Sequence, residues 1–142
     1  MTKRLSAILR LALVSLVFST LTTRAHEIDI DLGGSLDKYW YDYQKIKATG
    51  ESVIVKRKCE SACTLVLSII PLERICVAEG AEFRFHAPRY HGTQQISRLD
   101  AEILFRTYPD KVQKWIVANR ALESLQYKTL RGAELEAIVN RC

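Results

Sequence analysis

Ile28-Asp29-Ile30-Asp31-Leu32-Gly33-Gly34-Ser35 changes its periodicity partway along. Ile28, Ile30 and Leu32 alternate with Asp29 and Asp31, the pattern of a half-buried strand starting near His26. Gly33-Gly34 breaks the strand. Ser35 is a good helix N-cap, and Asp37 sits in the first turn, where the helix dipole favours an anion. Leu36, Tyr39, Trp40, Tyr43 and Ile46 then recur at helical spacing, and Gly50 ends the helix.

The same punctuation continues downstream. Ser52–Lys56 reads as a strand buried by its β-branched run, and Cys59–Cys63 as a turn. Ala62–Ile70 is apolar on nearly every side and stops at Pro71, which predicts a buried helix. Ile75–Ala78 and Glu82–His86 are two further strands joined at Gly80, followed by a polar loop, Ala87–Ile96. Ser97 with Asp100 starts a helix reaching Tyr108. Pro109 restarts it at the first helical position, with Val112, Trp115, Ile116 and Ala118 on its apolar side. A last short element spans Gly132–Val139. The expected fold is α/β, a small mixed or parallel sheet flanked by helices.

The chain has 142 residues, 48% of them hydrophobic and 26% charged, which suits one globular domain. The net charge of +5 is unevenly placed. Residues 1–25 hold Lys3, Arg4, Arg10 and Arg24 and no acid, which leaves 17 basic against 16 acidic side chains in 26–142. That balance gives no electrostatic case for a nucleic-acid partner. Basic residues, the apolar run Leu11–Phe18 and small residues at Thr23 and Ala25 make up the three parts of a secretory signal. Its 13 uncharged residues, Leu11–Thr23, fall short of the ~20 a bilayer span requires. The expectation is a signal peptide over 1–25, a single domain over 26–142, export to the periplasm or beyond, and no stable membrane span once the signal is removed.

Export places Cys59, Cys63, Cys76 and Cys142 in an oxidising compartment, where disulfides are favoured. The four allow three pairings, and sequence does not choose among them. Cys59 and Cys63, four apart, suit neither a common disulfide loop nor a CxxC redox pair, which favours bridges to Cys76 or Cys142. A metal site built from Cys59, Cys63, Cys76, His86 and His91 is the competing use of these residues, and oxidised sulfur argues against it. No cofactor is expected.

Two strand-to-helix turns carry the chemistry. A helix start after Gly33-Gly34 presents free backbone N–H groups. Ser61, on the second turn, has a hydroxyl that becomes a nucleophile if a base reaches it, and neighbouring N–H groups can hold an oxyanion. His86 closes a strand 25 residues later and is the candidate base. Each feature alone has a plainer explanation: a Ser at a helix start is usually a cap, a strand-ending His usually packs, and a Gly-Gly turn is usually only a turn.

In combination, Ile30–Ser35, Cys59-Glu60-Ser61-Ala62-Cys63-Thr64, and Arg74 followed by Ala81–Pro88 resemble the ClpP/crotonase superfamily. The resemblance is nearest to small secreted ClpP-like proteins with a C-x-S-A-C-T turn, and covers about Ile28–Pro88. It implies a minimal ClpP-like fold with Ser61 as nucleophile and His86 as base. The backbone N–H groups of Gly34 and Ala62 correspond to the oxyanion hole. It implies a peptide or other acyl substrate, and self-association as in the rings and stacked trimers of the superfamily. Among Tyr39, Trp40, Tyr41 and Tyr43, Tyr41 lies opposite Tyr39 and Tyr43. It is thus either a lone exposed ring or part of a subunit contact. The family's third triad member, an Asp on a later helix, has no clear match. Glu123 lies nearest by position, with Asp100 and Asp110 as alternatives. The family's first strand–helix unit is also missing, and Lys58, Cys59 and Glu60 crowd a turn that is normally small and glycine-rich. Two readings follow, a serine hydrolase or a non-catalytic, disulfide-stapled module for binding or assembly.

Overall fold

The computed structural model describes residues 24–142. The expected signal segment lies outside the described residues apart from Arg24 and Ala25. β1 (Ala25–Asp31) leads through Gly33-Gly34 into α1 (Leu36–Thr49), which Gly50 closes at φ 78° with its N–H on the Lys47 carbonyl. β2 (Ser52–Glu60) runs past Lys56, so Cys59 and Glu60 belong to the strand and not to the turn expected there. The chain turns at Ser61 into a 3-10 turn, Ser61–Leu65, and then α2 (Val66–Ile69). The predicted buried helix is therefore split, and a second 3-10 turn, Leu72–Arg74, follows Pro71. β3 (Ile75–Val77), β4 (Glu82–Phe85), α3 (Arg98–Thr107), α4 (Asp110–Asn119), β5 (Lys128–Arg131), α5 (Gly132–Glu136) and β6 (Asn140–Arg141) complete the order. Pro109 occupies the N-cap of α4 and not its first helical position.

These elements form a mixed α/β fold around a six-stranded sheet, parallel throughout except between β4 and β5. β2 is its axis. β1 lines one edge of it, while the other edge pairs with β3 along Val53–Val55 and with β4 along Lys58–Glu60. Asp31 lies beside Cys59, and Glu60 beside Arg84. The chain therefore leaves β1, β2 and β4 at the same end of three neighbouring parallel strands. Carboxyl ends of strands are where open α/β sheets build sites.

Period-two burial explains why β2 sits centrally: Val53 and Val55 are fully enclosed, as are Phe83 and Phe85 on β4. Phe85 meets Tyr108 edge-on at 5.7 Å and Trp115 at 5.3 Å, which docks α4 and the end of α3 on the sheet. Each such buried aromatic contributes roughly 2–3 kcal/mol. β1 departs from its predicted alternation. A register shift between Ile28 and Ile30 leaves Ile28 buried and turns Ile30 and Leu32 to solvent. On α1 only Tyr43 is buried. Tyr39 packs partly on the core, while Trp40 and Tyr41 are both exposed. Ala118 is exposed too, leaving Val112, Trp115 and Ile116 as the inner face of α4.

The cysteines pair as Cys59–Cys63 and Cys76–Cys142. The first pair corrects the expectation drawn from spacing. Cys59 ends a strand and the chain reverses at Ser61, so the two Cα atoms lie 5.3 Å apart, within disulfide reach. The second corrects it equally, joining Cys142 to Cys76 on β3 and not to Cys59 or Cys63. No helix among the described residues is long and apolar enough to cross a membrane.

Candidate functional site

Ser61 is one of two non-glycine residues with positive φ among those described, at 57°. A hydroxyl-bearing side chain in the left-handed region costs about 1–2 kcal/mol, which its surroundings must offset. The Cys59–Cys63 bridge brackets it. Thr64 Oγ1 donates to the Ser61 carbonyl at 2.7 Å, and the same hydroxyl meets the buried Tyr108 OH at 2.7 Å. Burial pushes the Tyr108 phenol well above its ordinary range, so it stays a neutral hydrogen-bonding group. Tyr43 OH donates to the Cys63 carbonyl from α1 at 3.1 Å.

The glycine turn closes over this bend. Gly33 has φ 80°, and a Cβ on it would lie 2.5 Å from the Glu60 carbonyl oxygen and 2.6 Å from Ser61 Cβ. Only glycine allows that approach. Asp31 Oδ1 accepts from the Gly33 N–H at 2.9 Å and also from Tyr39 OH. Gly34 comes next in the chain, and both it and Ala62 border the same cavity as Ser61 and His86. Ala62 is the second residue of its turn, where an N–H has no acceptor inside the helix.

His86 follows β4 directly. Its Nε2 lies 2.7 Å from Ser61 Oγ, and its Nδ1 lies 2.7 Å from the Ala87 carbonyl oxygen. A carbonyl only accepts, so in the neutral ring Nδ1 carries the proton and Nε2 is free to accept from the Ser61 hydroxyl. The cavity over this pair has a volume of about 810 Å³. Leu32, Leu104, Leu122 and Leu125 supply apolar wall, and Arg89, His91, Asp37 and Asp100 supply polar wall.

Ser61, His86, Gly34 and Ala62 thus come together on one cavity. The acid does not. Glu123 is exposed and pairs with Arg120 at 2.6 Å, whose guanidinium holds its carboxyl below the usual range. It makes no bond to His86, its carboxylate being held by the Arg120 guanidinium across the turn (φ 52°) that follows α4. Asp100 reaches the cavity wall without bonding the imidazole, and Asp110 borders a separate groove beside Phe105 and Gln113. A backbone carbonyl, that of Ala87, stands behind the ring instead. The metal alternative is corrected as well, since both disulfides consume the thiolates of Cys59, Cys63 and Cys76, and His91 is an exposed loop residue.

Two site neighbours, Tyr127 and Arg84, are given no role by sequence reasoning. Tyr127 meets the His86 ring edge-on, with centroids 5.0 Å apart and planes at 81°. Arg84 lies over the Tyr127 ring at 4.4 Å and donates to Glu60 Oε2 at 2.9 Å. Burial, with Glu60 beside it, raises the Tyr127 phenol pKa. Only the antiparallel β4–β5 register brings Tyr127 to His86, and no local pattern announces that pairing. Comparison with protein-family models finds no match to the chain, and comparison with curated proteins finds none either.

Proposed function

We propose that the chain is an exported, ClpP-like serine hydrolase acting on peptide or other acyl substrates. The observation that carries this reading is the 2.7 Å approach of His86 Nε2 to the hydroxyl of Ser61, a residue held at positive φ beside a glycine turn. Nδ1–H on the Ala87 carbonyl selects the tautomer that can take a proton at Nε2. As Ser61 Oγ bonds to the acyl carbon, its proton passes to Nε2 and negative charge gathers on the carbonyl oxygen, opposite the Gly34 and Ala62 N–H groups. His86 then protonates the leaving group as the tetrahedral intermediate collapses. Water, deprotonated by the same imidazole, releases the acyl group from Ser61. The family assignment rests on the order and spacing of Gly33-Gly34, Ser61 and His86-Ala87-Pro88. Export rests on the N-terminal pattern, and the two disulfides are compatible with it. Self-association would use the exposed Trp40 and Tyr41 on α1.

A fluorophosphonate probe is expected to label the folded protein at Ser61, and Ser61→Ala or His86→Ala to abolish labelling. A folded sample that stays unlabelled overturns the hydrolase reading. The second reading, a non-catalytic module, is favoured by one observation, that no carboxylate bonds the His86 ring among the described residues.

A further inference from the structure

We propose that Tyr127 is the positioning residue for His86, doing with the Ala87 carbonyl what a carboxylate does behind other catalytic imidazoles. The proposal rests on the Ser61–His86 reading and extends it. A single bond from Nδ1 to the carbonyl of the adjacent residue fixes the tautomer. It leaves the ring free to roll about that bond and swing Nε2 away from Ser61. A wall against the ring is needed, and Tyr127 is that wall.

The wall is built by sheet register. Phe85 pairs with Lys128 across β4 and β5, so the next antiparallel position sets Tyr127 opposite His86. The phenol and imidazole rings stand nearly perpendicular, with centroids 5.0 Å apart. The guanidinium of Arg84 lies over the Tyr127 ring at 4.4 Å, a cation–π contact. Arg84 is anchored in turn on Glu60, whose carboxylate is nearly buried and lies 2.9 Å away. Glu60 immediately precedes Ser61, so the chain of contacts Glu60–Arg84–Tyr127–His86 returns to the hydroxyl it orients. Tyr127 also borders the cavity over Ser61 and His86, so the split between inactivation rate and probe affinity separates an effect through the imidazole from a contact with the bound probe.

The test compares wild type, Tyr127→Phe, Tyr127→Leu and Tyr127→Ala. Fluorophosphonate labelling is resolved into probe affinity and inactivation rate, and the His86 ring nitrogens are followed by NMR. Tyr127→Phe, which keeps the ring, is expected to label within about threefold of wild type. Tyr127→Ala and Tyr127→Leu are expected to lose about tenfold to a hundredfold in inactivation rate with little change in probe affinity. In both, the ring should keep its Nδ1–H tautomer while the Nε2 shift moves from its Ser61-bonded value toward that of an unbonded ring nitrogen. Wild-type rates and shifts in the Leu and Ala variants overturn the proposal, and so does a Phe variant as slow as Ala. If the wild-type protein is not labelled at all, the hydrolase reading fails, and the imidazole shifts alone still decide whether Tyr127 holds the ring.

Discussion

Gly33 and Ser61 are two left-handed residues pressed against each other, and neither conformation is separable from the other. A methyl group on Gly33 would collide with the Glu60 carbonyl and with Ser61 Cβ, atoms of the bend itself and not a flexible side-chain tip. Gly33→Ala is therefore expected to destabilise the fold by about 2 kcal/mol or more, read from the denaturant midpoint. Labelling at Ser61 should fall further than the loss of folded protein explains. Gly50→Ala is the control, because its φ is equally positive but no atom lies within 4 Å of an added Cβ. It should show only the cost of the left-handed backbone, about 1–2 kcal/mol, with labelling of the folded fraction unchanged. An equal effect of both variants on labelling would contradict the role assigned to the contact.

Among the elements, two helices begin with serine and treat it differently. Ser97 is buried and its side chain accepts from the Asp100 N–H at 3.3 Å, whereas Ser35 makes no side-chain capping bond. Ser97→Ala should cost about 1 kcal/mol, and Ser35→Ala only a few tenths, in thermal or denaturant unfolding. Sequence marks both serines as helix starts, and only Ser97 has an acid three residues on. What was readable there was local: the strand-to-helix change at Gly33-Gly34, the helix stop at Gly50, the break at Pro71, and the order of Ser61 and His86. What was not readable depends on strands that are distant in the chain. Lys128–Arg131 carries too little alternation to announce β5, yet its pairing with β4 delivers Tyr127 to the imidazole. Asn140–Arg141 is shorter still, and becomes a strand only because β3 lies alongside it. Ile30 faces outward through a register shift that no alternation of residue types encodes. The acid was sought on a later helix by family position, while the group behind His86 is a carbonyl, which any residue supplies and no motif marks.

At the level of the whole molecule, the two disulfides do different work. The Cys76–Cys142 bridge closes a span of 66 residues, and the Cys59–Cys63 bridge a span of 4. Chain-entropy arguments assign them about 4 and about 2 kcal/mol respectively. Cys76→Ala with Cys142→Ala is expected to lower Tm more than Cys59→Ala with Cys63→Ala. The smaller change in stability should carry the larger loss of labelling, since the short bridge brackets Ser61. Differential scanning calorimetry of the two double variants beside labelling checks both orders at once. The long bridge also has a bearing on digestion. Arg89 and Tyr90 stand on an exposed loop between Cys76 and Cys142. A trypsin cut after Arg89 would leave two pieces still joined through sulfur, migrating as one band on a gel run without reductant and as two once dithiothreitol is added.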